Sequence, residues 1–213
     1  MNGVMIPMKN LSHSKQRMFP FLTGKKKEIF VSLMFEDVLT ELNKCKNIDG
    51  IFVITSDNVI ESISRCYDVQ VINDWQIKDL NHAIQLGFKE IYKRGCKNVT
   101  IIPGDIPLLS SDEMDSLFLD QTDVSIVPAH DKKGTNALRL HTNLPFNFSY
   151  GEDSYRKHLY EIIVNHFSYT EHSCGGIGFD IDYPYQLPFL RKHIHKLSSQ
   201  FLSENRLLQE INS

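Results

Sequence analysis

The chain has 213 residues, a formal net charge of −3, 41% hydrophobic residues and 23% charged residues. That length suffices for one large domain with a well-buried core, and no break in composition divides it. The slight negative charge excludes a bulk attraction to nucleic acid or to an anionic membrane, so an anionic ligand has to be met by local positive charge.

The cysteines Cys45, Cys66, Cys96 and Cys174 are widely spaced with no C-x-x-C pair, which suits neither a disulfide framework nor a zinc site and points to a reducing cytoplasm. A short apolar start precedes Lys9 and Lys15, the reverse of a signal peptide's order, and no apolar run approaches the roughly 18 residues of a membrane span. The expectation is a soluble, untargeted, cytoplasmic protein.

Val4-Met5-Ile6-Pro7-Met8 reads as the first strand. The loop behind it, residues 9–17, gathers Lys9, Lys15 and Arg17 with hydroxyls such as Ser14. It is either a solvated basic turn or a phosphate-binding loop, since nucleotide-binding α/β folds place theirs directly after the first strand. A helix is predicted over about 26–45, then a strand at 51–54. Thr55-Ser56-Asp57 ends that strand, and a short helix through Val59, Ile60 and Ile63 leads to a strand at 69–72. Asp79 is placed to cap a helix carrying Leu80, Ala83, Ile84, Phe88, Ile91 and Tyr92 on one face and ending at Gly95. Asn81 and Thr55-Ser56 either line a ligand pocket or serve as caps.

Val99-Thr100-Ile101-Ile102 is rich in β-branched residues and reads as a buried strand, stopped by Pro103-Gly104. Asp105 is therefore held at a strand's carboxyl end, where open α/β sheets bind ligands; it is either a turn former or a metal ligand. Ser110-Ser111-Asp112 caps another short helix before a strand at 124–127. This alternation predicts a Rossmann-like, mostly parallel, doubly wound sheet in a single domain over 1–213.

The rhythm breaks after Pro128. A strand at 137–141 and the alternating Phe146-Asn147-Phe148-Ser149-Tyr150 suggest an antiparallel flap at the sheet's edge. Gly151-Glu152-Asp153-Ser154 opens a helix through Tyr155, Leu159, Ile162 and Ile163, whose N-terminal amides favour an anion. Phe179-Asp180-Ile181-Asp182 puts two carboxylates on one side of an extended segment. A C-terminal helix over 197–211 would cover the core or a partner subunit, so a homodimer stays open. His193-x-His195 lies in a polar tail, whereas His158 shares a helix face with Ser154.

The blocks Pro7-x-Lys9, Ser14-Lys15-x-Arg17, Leu80-Asn81-x-Ala83, Pro103-Gly104-Asp105-Ile106-Pro107-Leu108-Leu109, Gly134-Thr135-Asn136-Ala137-Leu138, Tyr150-Gly151-x-x-Ser154-Tyr155-x-x-His158 and Phe179-Asp180-Ile181-Asp182-x-Pro184 occur in one order and spacing. From Ile6 to about Leu187 the chain resembles the CofC/FbiD family of guanylyltransferases, which belong to nucleotidyltransferases of the nucleotide-diphospho-sugar transferase type. The resemblance implies transfer of GMP from GTP onto the phosphate of a small three-carbon acid, with pyrophosphate released. The acid would be 2-phospho-L-lactate, phosphoenolpyruvate or 3-phosphoglycerate, and the pathway deazaflavin coenzyme F-420 biosynthesis. It also implies Mg²⁺ held by Asp105 and Asp182, with Asp180 a further candidate. Lys9, Ser14, Lys15, Arg17, Asn81 and Asp105 would bind the nucleotide, and Thr135, Gly151 and Ser154 the acceptor. Asp105, Lys15, Arg17 and Asp182 would form the catalytic set. Two other readings stand beside it, a metal-dependent glycosyltransferase using a nucleotide sugar and a catalytically inactive nucleotide-binding module; neither nucleic acid nor membrane is expected as a partner.

Overall fold

The computed structural model of the chain describes residues 1–74, 77, 79–173, 175–205 and 207. Strands β1 (Asn2–Pro7), β2 (Gly50–Ile54), β3 (Gln70–Ile72), β4 (Asn98–Ile101), β5 (Val124–Pro128), β6 (Thr135–His141) and β7 (Tyr169–Glu171) form a seven-stranded sheet in the order β3-β2-β1-β4-β6-β5-β7. β6 runs antiparallel to both its neighbours, and the other pairings are parallel. The mostly parallel sheet is as expected. The antiparallel strand, expected in an edge flap, lies inside the sheet between β4 and β5, and the edge beyond β5 is the short β7. The segment 146–150 is irregular; its alternation serves to bury Phe146 and Phe148 in the core while the polar residues face out.

Side chains alternate across a strand, so each buried strand feeds two cores. Val4 and Ile6 pack with Phe30, Met34 and Phe35 of α1 (Gly24–Leu42), Ile60 of α2 (Asn58–Cys66), Met114 and Leu117 of α4 (Ser111–Leu119) and Leu202 of α6 (Leu197–Glu204). Met5, between them, faces Ile84, Phe88 and Ile91 of α3 (Leu80–Lys93) and the core that also takes Tyr155 and Ile162 of α5 (Ser154–Val164). α1 thus starts and ends earlier than the 26–45 expected, and α6 stops at Glu204. Of the 197–211 span expected as helix, residues 206 and 208–211 lie outside those described, as does Cys174.

Because β6 runs against the rest, its first residues lie beside the carboxyl ends of the parallel strands: Ile101, the last residue of β4, pairs with Leu138, and Thr135 lies further out. Three helix starts are fixed by short polar side chains, as their identities require. Asp79 accepts from the His82 amide at 2.9 Å, and Ser110 and Glu113 form a reciprocal capping box at the head of α4. Asp57 does more. Its Oδ1 accepts from the amides of Val59 (2.8 Å) and Ile60 (3.2 Å), and its Oδ2 accepts from the Leu11 amide at 2.9 Å. One buried carboxylate therefore caps α2 and anchors the loop after β1. Asp57→Ala should lower unfolding stability by about 2 kcal/mol in urea titration, the sum expected for a cap and a charged hydrogen bond. Asp57→Asn, which keeps acceptor geometry at one oxygen, should lose about half of that.

Candidate active site

The loop after β1 is a built structure. Leu11 and Met18 are buried beneath it, the Lys27 ammonium donates to the Ser12 carbonyl at 3.0 Å, and the Ser14 hydroxyl donates to the Leu11 carbonyl at 2.7 Å. Between these anchors Lys15 takes a left-handed conformation with φ 49° and ψ 43°. A non-glycine residue rarely adopts it without a compensating interaction. Here that interaction is electrostatic: the Lys15 ammonium lies 2.5 Å from Asp105 Oδ2 and also donates to Asp182 Oδ1. Its side chain is only 4% exposed. Burial works to lower the Lys15 pKa, but the two carboxylates together outweigh it and hold the ammonium above the usual lysine value, so it stays charged.

Asp105 follows the Pro-Gly stop of β4, and its carbonyl accepts from the Ile181 amide at 3.1 Å, which brings the late segment carrying Asp180 and Asp182 against it. That segment is fixed on both sides. Gln186 Oε1 accepts from the amides of Asp182 (2.7 Å) and Tyr183 (2.8 Å). Glu113 Oε1 accepts from the Gly176 amide at 2.8 Å, so the capping residue of α4 also holds the approach to the acids. A Cβ on Gly176 would lie 2.1 Å from the Leu108 carbonyl oxygen, so only glycine fits against that backbone. Arg17 completes the basic side: it pairs with Asp182 Oδ2 at 3.1 Å, lies 5.3 Å over the Tyr183 ring, and is 64% exposed, able to reach a ligand.

Asp180 accepts from Asn136 Nδ2 at 3.2 Å, while the same amide group donates to the Ile177 carbonyl at 3.1 Å. Burial, and then the neighbouring Asp105, push its carboxyl above the usual carboxylate range. Among the described residues no three His, Cys, Asp or Glu side chains group so as to hold a metal ion alone. The donor chemistry nevertheless suits one hard cation: Asp105 and Asp182, each 28% exposed, converge on the same Lys15 nitrogen, and Mg²⁺ commonly takes one or two carboxylates with the rest of its shell from phosphate and water.

A second, largely uncharged cluster starts at Thr135, beside Asn136. The Thr135 amide donates to Ser154 Oγ at 3.0 Å, and Thr135 Oγ1 lies 2.9 Å from Nδ1 of His158. Gly151, at φ +116°, makes the turn into α5 that a side chain would strain. The sequence suggested free amides at this helix start. Instead Ser154 N donates to the Gly151 carbonyl (3.3 Å) and Tyr155 N to the Lys133 carbonyl (3.0 Å), so two of these amides are taken within the fold, and the Thr135 and Ser154 hydroxyls are the side-chain donors of the cluster.

Lys15, Arg17, Asp105, Asp180 and Asp182 are thus brought together, and Thr135, Gly151 and Ser154 gather in the neighbouring cluster. Lys9 is exposed, and Ser14 closes a local turn. Asn81 clamps the backbone of Tyr150, accepting from its amide at 2.7 Å and donating to its carbonyl at 3.1 Å, and so ties α3 to the turn before α5. Sequence reasoning gave no site role to Asp57, Glu113, Asn136 or Gln186, which hold the charged residues in place. For Glu113 the Ser-x-x-Glu spacing was a readable signal of helix capping, though not of the reach to Gly176.

Comparison with known proteins agrees on one group. Residues 2–205 match the family model described as guanylyl transferase CofC like. The phosphoenolpyruvate guanylyltransferase of Sphaerobacter thermophilus is 27% identical over 88% of this chain and 91% of its own. The 2-phospho-L-lactate guanylyltransferase of Methanocaldococcus jannaschii is 26% identical over 86% of this chain and 80% of its own. Among solved structures, a nucleotidyl transferase from Methanothermobacter thermautotrophicus superposes with a TM-score of 0.67 at 13% identity, covering 92% of this chain and 98% of that one, a likeness of fold.

The Gly176 contact gives a direct check. Gly176→Ala should lower stability by about 1–3 kcal/mol, the usual cost of overpacking, and reduce turnover as the acidic segment shifts. Gly175→Ala is the control, because no atom lies within 4 Å of the added Cβ; calorimetric melting of the two variants should separate them.

Proposed function

The chain belongs to the CofC-like guanylyl transferase family, and we propose that it moves GMP from GTP onto the phosphate of a small three-carbon acid, 2-phospho-L-lactate or phosphoenolpyruvate, releasing pyrophosphate. Such a step belongs to deazaflavin coenzyme F-420 biosynthesis. The observation that carries the reading is the Lys15 ammonium closed between Asp105 and Asp182 at the carboxyl ends of β1 and β4, with Arg17 beside it. The relatives named as guanylyltransferases favour it over a glycosyltransferase.

The chemistry asks little of the protein beyond position and charge. A phosphate monoester has its second pKa near 6, so at neutral pH the acceptor phosphate is already an anionic nucleophile and needs no general base. Its oxygen bonds to the α-phosphorus of GTP as the bond from that phosphorus to the bridging oxygen breaks, and pyrophosphate carries away the electron pair. Lys9, Lys15 and Arg17 neutralise the triphosphate and the departing pyrophosphate. Asp105 and Asp182 would hold Mg²⁺, which when bound supplies charge neutralisation at the α-phosphate. Lys15 and a divalent cation are alternative partners of the same two carboxylates, so the ammonium, with Arg17, keeps the pair neutralised until substrate arrives. Thr135, Gly151 and Ser154 receive the acceptor.

Pyrophosphate release from GTP and a panel of phosphorylated three-carbon acids, with Mg²⁺ present, tests the proposal; no release with any acid would reject it. Asp105→Asn and Asp182→Asn should each abolish turnover while the protein stays folded, with a lowered melting temperature because each removes one anion from the buried Lys15 ammonium. Thr135→Ala and Ser154→Ala should each raise KM for the acid by the equivalent of about 1.5–3 kcal/mol and leave KM for GTP nearly unchanged, as expected for a lost hydrogen bond to a charged group.

A further inference from the structure

The hydrogen bonds around His158 have only one consistent polarity. A backbone amide can only donate, so the Ser149 N–H, 3.0 Å from His158 Nε2, requires a lone pair there. In the neutral ring the proton must then be on Nδ1. Nδ1 lies 2.9 Å from Thr135 Oγ1, so the ring donates and the threonine oxygen accepts. The Thr135 hydroxyl proton is thereby excluded from the histidine and has to point elsewhere. Ser154 is in the same position, because its Oγ accepts from the Thr135 amide. Two hydroxyl groups, one from β6 and one from the start of α5, are both left with a proton to give.

We propose that His158 is a positioning residue that fixes the Thr135 hydroxyl as a donor aimed at the anionic group of the acceptor. This rests on the reading of Thr135 and Ser154 as acceptor-binding groups. A site whose hydroxyls are held as donors favours an ionised phosphate or carboxylate, which can only accept, over an alcohol group, whose own proton needs an acceptor in return.

The surroundings hold the ring in that state. His158 is fully buried, with the Tyr150 ring 4.7 Å and the Phe146 ring 5.8 Å from it. Burial, helped by the charge of Lys157 on its own helix, pushes its pKa down to about 4, so it is neutral at physiological pH. From the other elements it meets Thr135, the Ser149 backbone and the two rings, and among the described residues no carboxylate pairs with it. A positive imidazolium would have to donate to the Ser149 amide as well, which that amide cannot accept.

Nitrogen-15 NMR of the histidine side chains in the wild-type protein reads the tautomer directly. The neutral Nδ1–H form at pH 7 is expected for His158; the Nε2–H form or an imidazolium would overturn the proposal whatever the enzyme's substrate. Kinetics supply the functional arm. His158→Phe should raise KM for the phosphorylated acid about tenfold while kcat and KM for GTP stay within about twofold. His158→Asn, whose amide can donate from nearly the same place, should recover most of that loss. In a Thr135→Val background His158→Phe should add nothing, since both act through one hydroxyl. Additive effects, an equal loss of GTP affinity, or no recovery in His158→Asn would make the residue merely structural and overturn the proposal. If His158→Phe does not fold, His158→Asn and the wild-type tautomer decide. If no acid turns over, the functional reading fails, and the relay is then judged by inorganic phosphate: binding weakened about tenfold in His158→Phe upholds it, and equal binding overturns it.

Discussion

The site depends on one shared charge. The ammonium of Lys15 is bound by two carboxylates from distant parts of the chain, Asp105 after β4 and Asp182 near the end of the fold. Each partner alone would be costly: a buried ammonium without anions, or two adjacent acids without a cation, carries a desolvation or repulsion penalty of several kcal/mol. Together, with Arg17 beside Asp182 as the second positive charge, they neutralise one another and draw three loops into one place. The left-handed backbone at Lys15, the glycine at 176 and the paired amides on Gln186 all follow from the need to keep this arrangement in register.

A contrast of charge divides the neighbourhood. On the side of the β1 loop the polar groups are ions, suited to a triphosphate whose charge changes as pyrophosphate leaves. At the head of β6 and α5 they are hydroxyls backed by a neutral, buried histidine. Under the proposed function, hydroxyls would bind the acceptor without adding net charge, so its phosphate would keep the electron density it needs as a nucleophile. Asn136 joins the two sides, as it follows Thr135 and holds Asp180.

Much of this was legible in the sequence because it depends on local rules. The β-branched run of β4 ending in Pro-Gly, the Asp79 cap before α3, and the alternation of strands and helices each follow from propensity and periodicity. The insertion of β6 between β4 and β5 was not, since strand order depends on pairings between segments far apart in sequence, and periodicity reports only that a strand exists. The same limit explains the site. Asp105, Lys15 and Asp182 could be named as candidates from their motifs, but the meeting of Glu113 with Gly176, of Gln186 with the Asp182 amide, and of Asp57 with the Leu11 amide arises only once the chain is folded. The amides of α5 appeared free because a helix start leaves its first N–H groups without helical partners; here the Lys133 and Gly151 carbonyls take two of them.

If Lys15 and a divalent cation share one pair of carboxylates, removing the ammonium has opposite effects on two ligands. Binding of Mn²⁺, followed by electron paramagnetic resonance in the absence of nucleotide, should be tighter in Lys15→Met than in the wild type, while calorimetry should show GTP bound more weakly. Unchanged Mn²⁺ affinity together with undiminished GTP affinity would contradict the central claim that this ammonium stands where the substrate's charge is to be met.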